Sequence, residues 1–260
     1  MSSIASEDAS AEAGRIPLSV VIPTLNEAAR LPALLHQIAA QDVRSEVIVV
    51  DGGSADGTAG IARRLGARLL SSPAGRGRQL AAGAAAAQGD ALLFLHADSV
   101  LPPGALAGAC AALDDNSELV GGNFRLLFDG GDRFSHWLNG FYRWIRRHGF
   151  YYGDSAIFVR ASVYRALGGI RPIALMEDYD FVRRLEKAGP TCCIETPPLV
   201  TSARRFHGRH PIPIVGGWLA IHLLFHVGVS PDRLARLYDS ARRRKRRPQD
   251  PSRTALSDQS

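Results

Sequence analysis

The chain is short of lysine. Of its 31 basic residues only Lys187 and Lys245 are lysine, and the rest are arginine. Cysteine is scarce as well. Cys110, Cys192 and Cys193 cannot build a paired framework, and no Cys/His spacing suits zinc. A disulfide-stapled fold and a zinc module are therefore excluded, and a reducing cytoplasm is expected. No uninterrupted hydrophobic run of membrane length occurs. Residues 211–229 come nearest, but His222 and His226 interrupt them and prolines flank them, so a core or interfacial helix is expected there. The opening residues carry Glu7, Asp8 and Glu12 and no basic residue before Arg15, a pattern that predicts neither a signal peptide nor a transit peptide. Internal repeats and nucleic-acid motifs are also missing, and nucleic acid is not an expected partner.

What remains is an ordinary globular composition. Hydrophobic residues make up 46% and charged residues 22% of 260, which excludes a disordered or fibrous chain. The net charge of +6 is unevenly placed: residues 242–260 hold seven basic and two acidic residues, so the body is nearly neutral and the excess lies in a tail. That tail, with Arg242-Arg-Arg-Lys-Arg-Arg247, either meets an anionic membrane surface or is simply solvated.

Hydrophobic periodicity orders the first half as alternating strands and helices. Leu18–Ile22, Glu46–Val50, Arg68–Ser71 and Ala91–Leu95 read as short strands. Between them, Leu31–Ala40 reads as a helix, another runs from Asp56-Gly-Thr to Leu65 and stops at Gly66, and an alanine-rich helix follows the loop Pro73–Gly77 and ends at Gly89. Such a pattern predicts a mostly parallel, Rossmann-like sheet with helices on both faces, and a ligand site beyond the strands' carboxyl ends. Thr24-Leu-Asn-Glu27, Asp51-Gly-Gly-Ser54 and His96-Ala-Asp98 all fall on that edge. In the second half, strands are expected at Leu119–Phe128 and Ser155–Val159. Helices are expected over 132–147, before Gly168-Gly169, from Met176 to Ala188, and from Leu234 to Arg247.

Four segments carry a resemblance. Val20-Val-Ile-Pro-Thr-Leu-Asn-Glu27, Glu46-Val-Ile-Val-Val-Asp-Gly-Gly-Ser-Ala-Asp-Gly-Thr58, Phe94-Leu-His-Ala-Asp98 and Glu177-Asp-Tyr-Asp180 are similar in order and spacing to successive signatures of glycosyltransferase family 2, across residues 16–210. The nearest variant is a small bacterial subgroup with His-Ala-Asp in place of Asp-x-Asp. The resemblance implies a GT-A fold, a nucleotide-diphosphate sugar donor with UDP favoured over GDP, a divalent metal (Mn²⁺ or Mg²⁺) and inversion at the anomeric carbon. It also implies a hexosyltransferase whose base is the second acid of the Glu-Asp pair, Asp178, with Glu177 orienting.

Each residue admits a physical reading beside that one. Glu27 and Asp51 suit the ribose hydroxyls and base edge, with Pro23 and Thr24 shaping the base pocket; alternatively Asp51 and Asn26 only cap helices and close turns. Asp98 at a strand end suits a hard cation, and His96 either joins it or hydrogen-bonds ribose or phosphate. Arg76 and Arg78, with Gln79, suit a phosphate or a uracil carbonyl, or else form a solvated turn. Asp178 and Glu177 sit where a helix N-terminus keeps carboxylates ionised, and Asp180 caps the helix or pairs with Arg183 or Arg184; alternatively all three acids only satisfy the helix dipole. Asp154 matches an acceptor-side position. Arg205-Phe206 is faintly similar to the Arg-Trp element of processive synthases, so Arg205 is a candidate for the departing diphosphate and His207 for the metal shell, or the arginines merely cover Phe206.

The expected organisation is a disordered 1–15, a catalytic domain at 16–210 divided near residue 100 into nucleotide-binding and acceptor halves, a helical segment at 211–241 and a disordered basic tail at 242–260. The acceptor is unassigned. The aromatic helix (Phe134, Trp137, Phe141, Tyr142, Trp144), the apolar segment and the tail point to a lipid or polyprenyl-type acceptor and a peripheral place on the inner face of a membrane, with a soluble small acceptor as the alternative. Two rivals stand beside this reading. A nucleotidyltransferase needs a Gly-rich basic loop after the first strand, where Pro-Thr-Leu-Asn-Glu lies instead. A nucleotide-sugar sensor has no use for Glu177-Asp178.

Overall fold

The computed structural model of the protein describes residues 17–201 and 211–246. The expectations placed on 1–15, on Arg205 and His207, and on the tail beyond 246 lie outside the described residues. The strands are β1 (Leu18–Thr24), β2 (Ser45–Asp51), β3 (Arg68–Ser71), β4 (Ala91–Phe94), β5 (Gly121–Phe128), β6 (Ile157–Arg160) and β7 (Thr191–Thr201). They form one sheet in the order β3-β2-β1-β4-β6-β5-β7. Only β6 runs against its neighbours β4 and β5; the other pairings are parallel. The helices of this body are α1 (Leu31–Ala39), α2 (Thr58–Arg64), α3 (Arg76–Ala86), α4 (Ala105–Asp114), α5 (Arg133–Arg146), α6 (Ala161–Ala166) and α7 (Glu177–Ala188). This is the mixed, mostly parallel α/β sheet expected.

Burial explains why the strands read as continuous apolar runs. Val21, Ile48, Val50, Leu92 and Phe94 face a cluster that includes Leu80 of α3, Tyr164 of α6 and Phe181, Val182 and Leu185 of α7. The alternate residues Val20, Ile22, Val49 and Leu93 are equally buried, so both faces are covered. Each of these side chains contributes roughly 1.5–3 kcal/mol by leaving water. Phe94, Tyr164 and Phe181 form an aromatic trio with centroids 5.3–6.3 Å apart.

Three details differ from the sequence reading. Helix α3 begins at Arg76, so Arg76 and Arg78 stand in its first turn rather than in a loop. It ends at Ala86, before Gly89, because Gly89 lies against Ser19: its N–H donates to Ser19 Oγ at 2.9 Å, and a Cβ there would come within 2.6 Å of the Ser19 nitrogen. Helix α4 and strand β7 have no counterpart in the reading. β7 carries Pro197-Pro198, with a cis Thr196–Pro197 peptide, and tolerates them because it is an edge strand whose register with β5 shifts between Phe124 and Leu126.

A second compact unit begins at residue 210. It contains α8 (Pro211–His226) and α9 (Pro231–Arg246). Ile212, Leu219 and Leu223 on α8 are exposed. Among the described residues no helix is long and apolar enough to cross a membrane.

Gly83 sets how closely α3 lies on the sheet. A Cβ there would meet Val21 Cγ1 at 2.4 Å and Val50 Cγ2 at 2.9 Å, and both valines are fully buried. In a free helix Gly→Ala would stabilise by up to about 1 kcal/mol. Here overpacking dominates, and Gly83→Ala is expected to destabilise by about 1–3 kcal/mol in urea unfolding. A stabilised variant would refute the close packing.

Candidate active site

The carboxyl ends of β1 and β2 carry two loops that are laced together. Asp51 Oδ2 accepts from the N–H of Gly53 (3.0 Å) and Ser54 (2.9 Å), while Oδ1 accepts from Ser54 Oγ (2.5 Å) and Thr24 Oγ1 (3.3 Å). Burial pushes the Asp51 carboxyl up, but the Ser54, Gly53 and Thr24 donors outweigh it and hold it below the usual range. Across the gap, Asn26 N–H donates to Ser54 Oγ, Asn26 Oδ1 accepts from Ala55 N–H, Glu27 N–H donates to Thr58 Oγ1, and Gly52 N–H donates to Thr24 O. Asp51 is thus engaged on four sides by the fold, so of the two readings its turn-closing role is the one the geometry displays. Glu27 is partly exposed and pairs with Arg30 at 2.9 Å. Pro23 and Thr24 lie at the end of β1, with Thr24 buried.

Gln79 departs from the sequence reading as a nucleotide contact. It is 4% exposed, and its amide nitrogen donates to Thr24 O and Val50 O, both at 2.8 Å. It ties α3 to the ends of β1 and β2 and has no N–H left for a ligand. Arg78 is exposed in the first turn of α3.

Arg76 is the centre of the second cluster. Its Nε donates to Glu177 Oε1, its Nη2 donates to Asp178 Oδ2 at 2.9 Å, and its Nη1 lies 3.4 Å from His96 Nε2. Glu177 is 2% and Asp178 6% exposed, at the N-terminus of α7. Asp178 Oδ2 also accepts from Gly153 N–H (2.9 Å), and Oδ1 from Tyr179 N–H (2.8 Å). Burial would raise the Asp178 pKa, but the Arg76 charge and the two backbone donors lower it. For Glu177 burial wins over Arg76, and its pKa is raised. Arg76 itself is disfavoured by burial and held charged by Asp178 and Glu177. Two glycines make this approach feasible. A Cβ on Gly77 would meet Arg171 O and Ile173 O at 2.9 Å, and one on Gly153 would sit 3.2 Å from Asp178 Oδ2 and 3.3 Å from His96 Nε2. Asp180 pairs with Arg184 (2.7 Å) and Arg171 (2.9 Å), whereas Arg183 lies over the Phe150 ring.

The sequence offered Arg76 to a phosphate, a uracil carbonyl or solvent and gave no sign of its grip on the acids, which lie about a hundred positions away. The one local signal is glycine on either side of it, which clears the backbone for a close crossing. Asp154 accepts from Tyr142 Oη at 3.1 Å, beside the Gly153–Ser155 turn.

Asp98 is half-buried beyond β4, and among the described residues no hydrogen bond or ion pair engages its carboxylate. Among the described residues no three His, Cys, Asp or Glu side chains come together as a metal cluster. Among the described residues Asp98 and His96 offer a carboxylate and an imidazole beyond β4, a donor set that suits a cation whose shell ligand oxygens complete.

The sequence pattern described as Glycosyl transferase family 2 matches residues 19–166. An uncharacterized glycosyltransferase of Mycobacterium tuberculosis is 38% identical over 109 residues, 42% of this chain and 49% of that protein, so the chain spans about half the length of that relative. The PGL/p-HBAD biosynthesis glycosyltransferase of the same species is 34% identical over 198 residues, 70% of this chain and 72% of its own. Among solved structures, a mannosyltransferase from Pyrobaculum calidifontis in complex with GDP-Man and Mn²⁺ superposes with a TM-score of 0.61 at 21% identity, over 80% of this chain and 62% of that one. At that identity the likeness speaks for the GT-A fold alone.

The Arg76 cluster yields a stability prediction. Arg76→Ala leaves two buried carboxylates without their cation, and each then binds a proton more readily in the folded than in the unfolded state. Stability of the variant should therefore fall as pH rises. Because the Arg76 side chain keeps 38% exposure, the cost at neutral pH is expected at about 1–3 kcal/mol and smaller near pH 5. Denaturant titrations at pH 5 and pH 8 check this; an equal cost at both would refute it.

Proposed function

The chain belongs to glycosyltransferase family 2, and from that premise we propose that it moves a hexosyl group from a nucleotide-diphosphate sugar to an acceptor hydroxyl, with inversion. The observation that carries this is the buried acid pair Glu177–Asp178 at a helix N-terminus, gripped by Arg76 on the sheet's carboxyl edge. UDP is the favoured nucleotide. Pro23, Thr24, Glu27 and Asp51 serve the base and ribose side, with Asp51 also holding its loop; Arg76 and Arg78 serve the diphosphate, and the sequence adds Arg205, which lies outside the described residues. Asp98, with His96 and His207, would hold the divalent cation, and His96-Ala97-Asp98 takes the place of the family's Asp-x-Asp. When bound, that cation neutralises charge on the leaving diphosphate.

Asp178 is the base and Glu177 its orienting neighbour. Without donor, Arg76 holds Asp178 ionised but weakly basic. A diphosphate offers Arg76 a stronger anionic partner. As the guanidinium turns to it, Asp178 loses the contact that most lowers its pKa and becomes able to take the acceptor proton. The acceptor oxygen then bonds to the anomeric carbon while the carbon–oxygen bond to phosphate breaks, its electron pair leaving with the diphosphate. Family membership disfavours a nucleotidyltransferase, and the acid pair argues against a sensor.

The test is transfer and donor hydrolysis with UDP- and GDP-sugars, with and without Mn²⁺. Asp178→Asn keeps size and polarity and removes basicity. It should bind donor within a few-fold and lose turnover by about 10²–10⁴. Comparable turnover in the variant would unseat Asp178, and a wild type inert towards every donor would leave the sensor.

The acceptor is read as lipid-linked, at a membrane surface, and α5 favours this. Phe134, Trp137, Phe141, Trp144 and His148 form one stripe of successive ring contacts at 4.8–6.2 Å. Trp137 and Trp144 are 46% and 57% exposed. Amphipathic helices with aromatic and arginine residues lie in bilayer interfaces. Trp137→Ala with Trp144→Ala should weaken binding to anionic vesicles by about tenfold or more, and removing 242–260 should weaken it further at low salt. Equal co-sedimentation of all forms would remove the membrane from this reading.

A further inference from the structure

A pocket of about 200 Å³ lies between α5, the middle of β5 and the first half of β7. Guanidinium groups dominate its polar lining. Arg125, Arg143, Arg146 and Arg147 border it, against a single carboxylate, Glu195. The fold accounts for two of them. Arg125 stands 3.8 Å from Glu195. Arg146 donates to Asn123 Oδ1 (2.5 Å) and Thr191 Oγ1 (2.9 Å), lies 3.8 Å from Glu186 and covers the Tyr151 ring at 4.5 Å.

Arg143 and Arg147 are different. Both are exposed, and among the described residues neither has a carboxylate within ion-pair distance. They are one helical turn apart, where like charges repel. The end of a helix favours cations, yet the dipole does not require them to converge with two further arginines on one concavity. Guanidinium groups gathered in a partly apolar recess are suited to phosphate, which they bind through paired N–H donors. Phe124, Leu126 and Phe150 supply the apolar wall.

The pocket also shares a wall with the acid pair. Ser155 borders it, while Gly153, at the other end of the same three-residue turn, donates to Asp178. Tyr142 lines the pocket and donates to Asp154 of that turn. We propose that this pocket binds a phosphate ester carried by the acceptor, with the Gly153–Ser155 turn between it and Asp178. The acceptor role rests on the transferase reading above; phosphate binding by the pocket does not.

Calorimetric titration of the full chain with two probes tests this, glycerol 3-phosphate for a soluble ester and dihexanoyl phosphatidic acid for a lipid headgroup. Both should bind the wild type. Arg143→Gln with Arg147→Gln should weaken binding by about tenfold or more, with an unchanged melting temperature. Arg63→Gln with Arg64→Gln, two exposed arginines on α2, should change it less than about twofold, the level of a diffuse surface charge. Tighter binding of the lipid probe assigns the phosphate to a lipid, and equal binding to a soluble ester; both uphold the pocket. No binding by wild type, or equal loss in the two double variants, overturns it. Parallel titrations with UDP and GDP keep the two readings apart, because a protein that takes phosphate esters but neither nucleotide loses the transferase reading and keeps the pocket.

Discussion

Two carboxylates side by side in a protein interior are unfavourable unless a cation lies against them, and half-buried Arg76 is that cation. Much of the body's geometry follows from the need to deliver it. Helix α3 must start at Arg76 and lie close enough to α7 for the guanidinium to span both acids, which Gly77 permits. The same helix is anchored at its next turn by Gln79 on the carbonyls of Thr24 and Val50. A residue that in sequence reads as a loop arginine for a nucleotide or for solvent is therefore the joint between the sheet edge and the acid-bearing helix. Its charge lowers both acids, and their surroundings separate them: Asp178 also accepts from the Gly153 and Tyr179 N–H groups and is held anionic, whereas at Glu177 burial outweighs Arg76 and the pKa is raised.

The two sides of the sheet edge are built differently. On the β1–β2 side, the 24–28 and 51–58 loops are cross-linked by backbone N–H groups donating to short polar side chains. Little reorganisation is open to such a lattice, which suits a rigid ligand recognised by shape. On the β5–β7 side the lining is aromatic and guanidinium-rich. Tyr152 stacks on Tyr179 at 6.3 Å, and Phe150 on the same ring at 6.2 Å. Long side chains on a helix can adapt, which suits a ligand with an apolar part.

The parallel half of the sheet was legible from the hydrophobic pattern along the chain. Buried parallel strands leave no polar alternation, so Leu18–Ile22 and Glu46–Val50 stand out as apolar runs, and Arg68–Ser71 coincides with β3. The turns were legible too, Gly66 taking the left-handed conformation that ends α2. What was not legible depended on tertiary context. β7 was hidden by its proline pair, which only an edge position accommodates, and α4 by a weakly patterned alanine-rich stretch. In the site, the positions of Asp178, Glu177 and Asp98 followed from local motifs, because a helix start or a strand end is a local event. The partner of the acid pair did not, since nothing near Arg76 in sequence specifies a contact with residues 177 and 178.

The reversed direction of β6 has a consequence for how the molecule divides. Every parallel strand presents its last residues to the ligand edge, but β6 presents what precedes it, the Gly153–Ser155 turn. Residues 121–160 therefore leave the sheet on β5, cross α5 and re-enter through that turn without visiting any other strand. One uninterrupted stretch of chain holds all four arginines of the pocket, the aromatic stripe and a hydrogen bond to Asp178, while β7 closes the pocket from outside it. For recombination, natural or deliberate, this makes the segment a cassette: exchanging it between relatives replaces all but the β7 part of that wall at two junctions, while the cross-linked loops of the β1–β2 side are inherited intact.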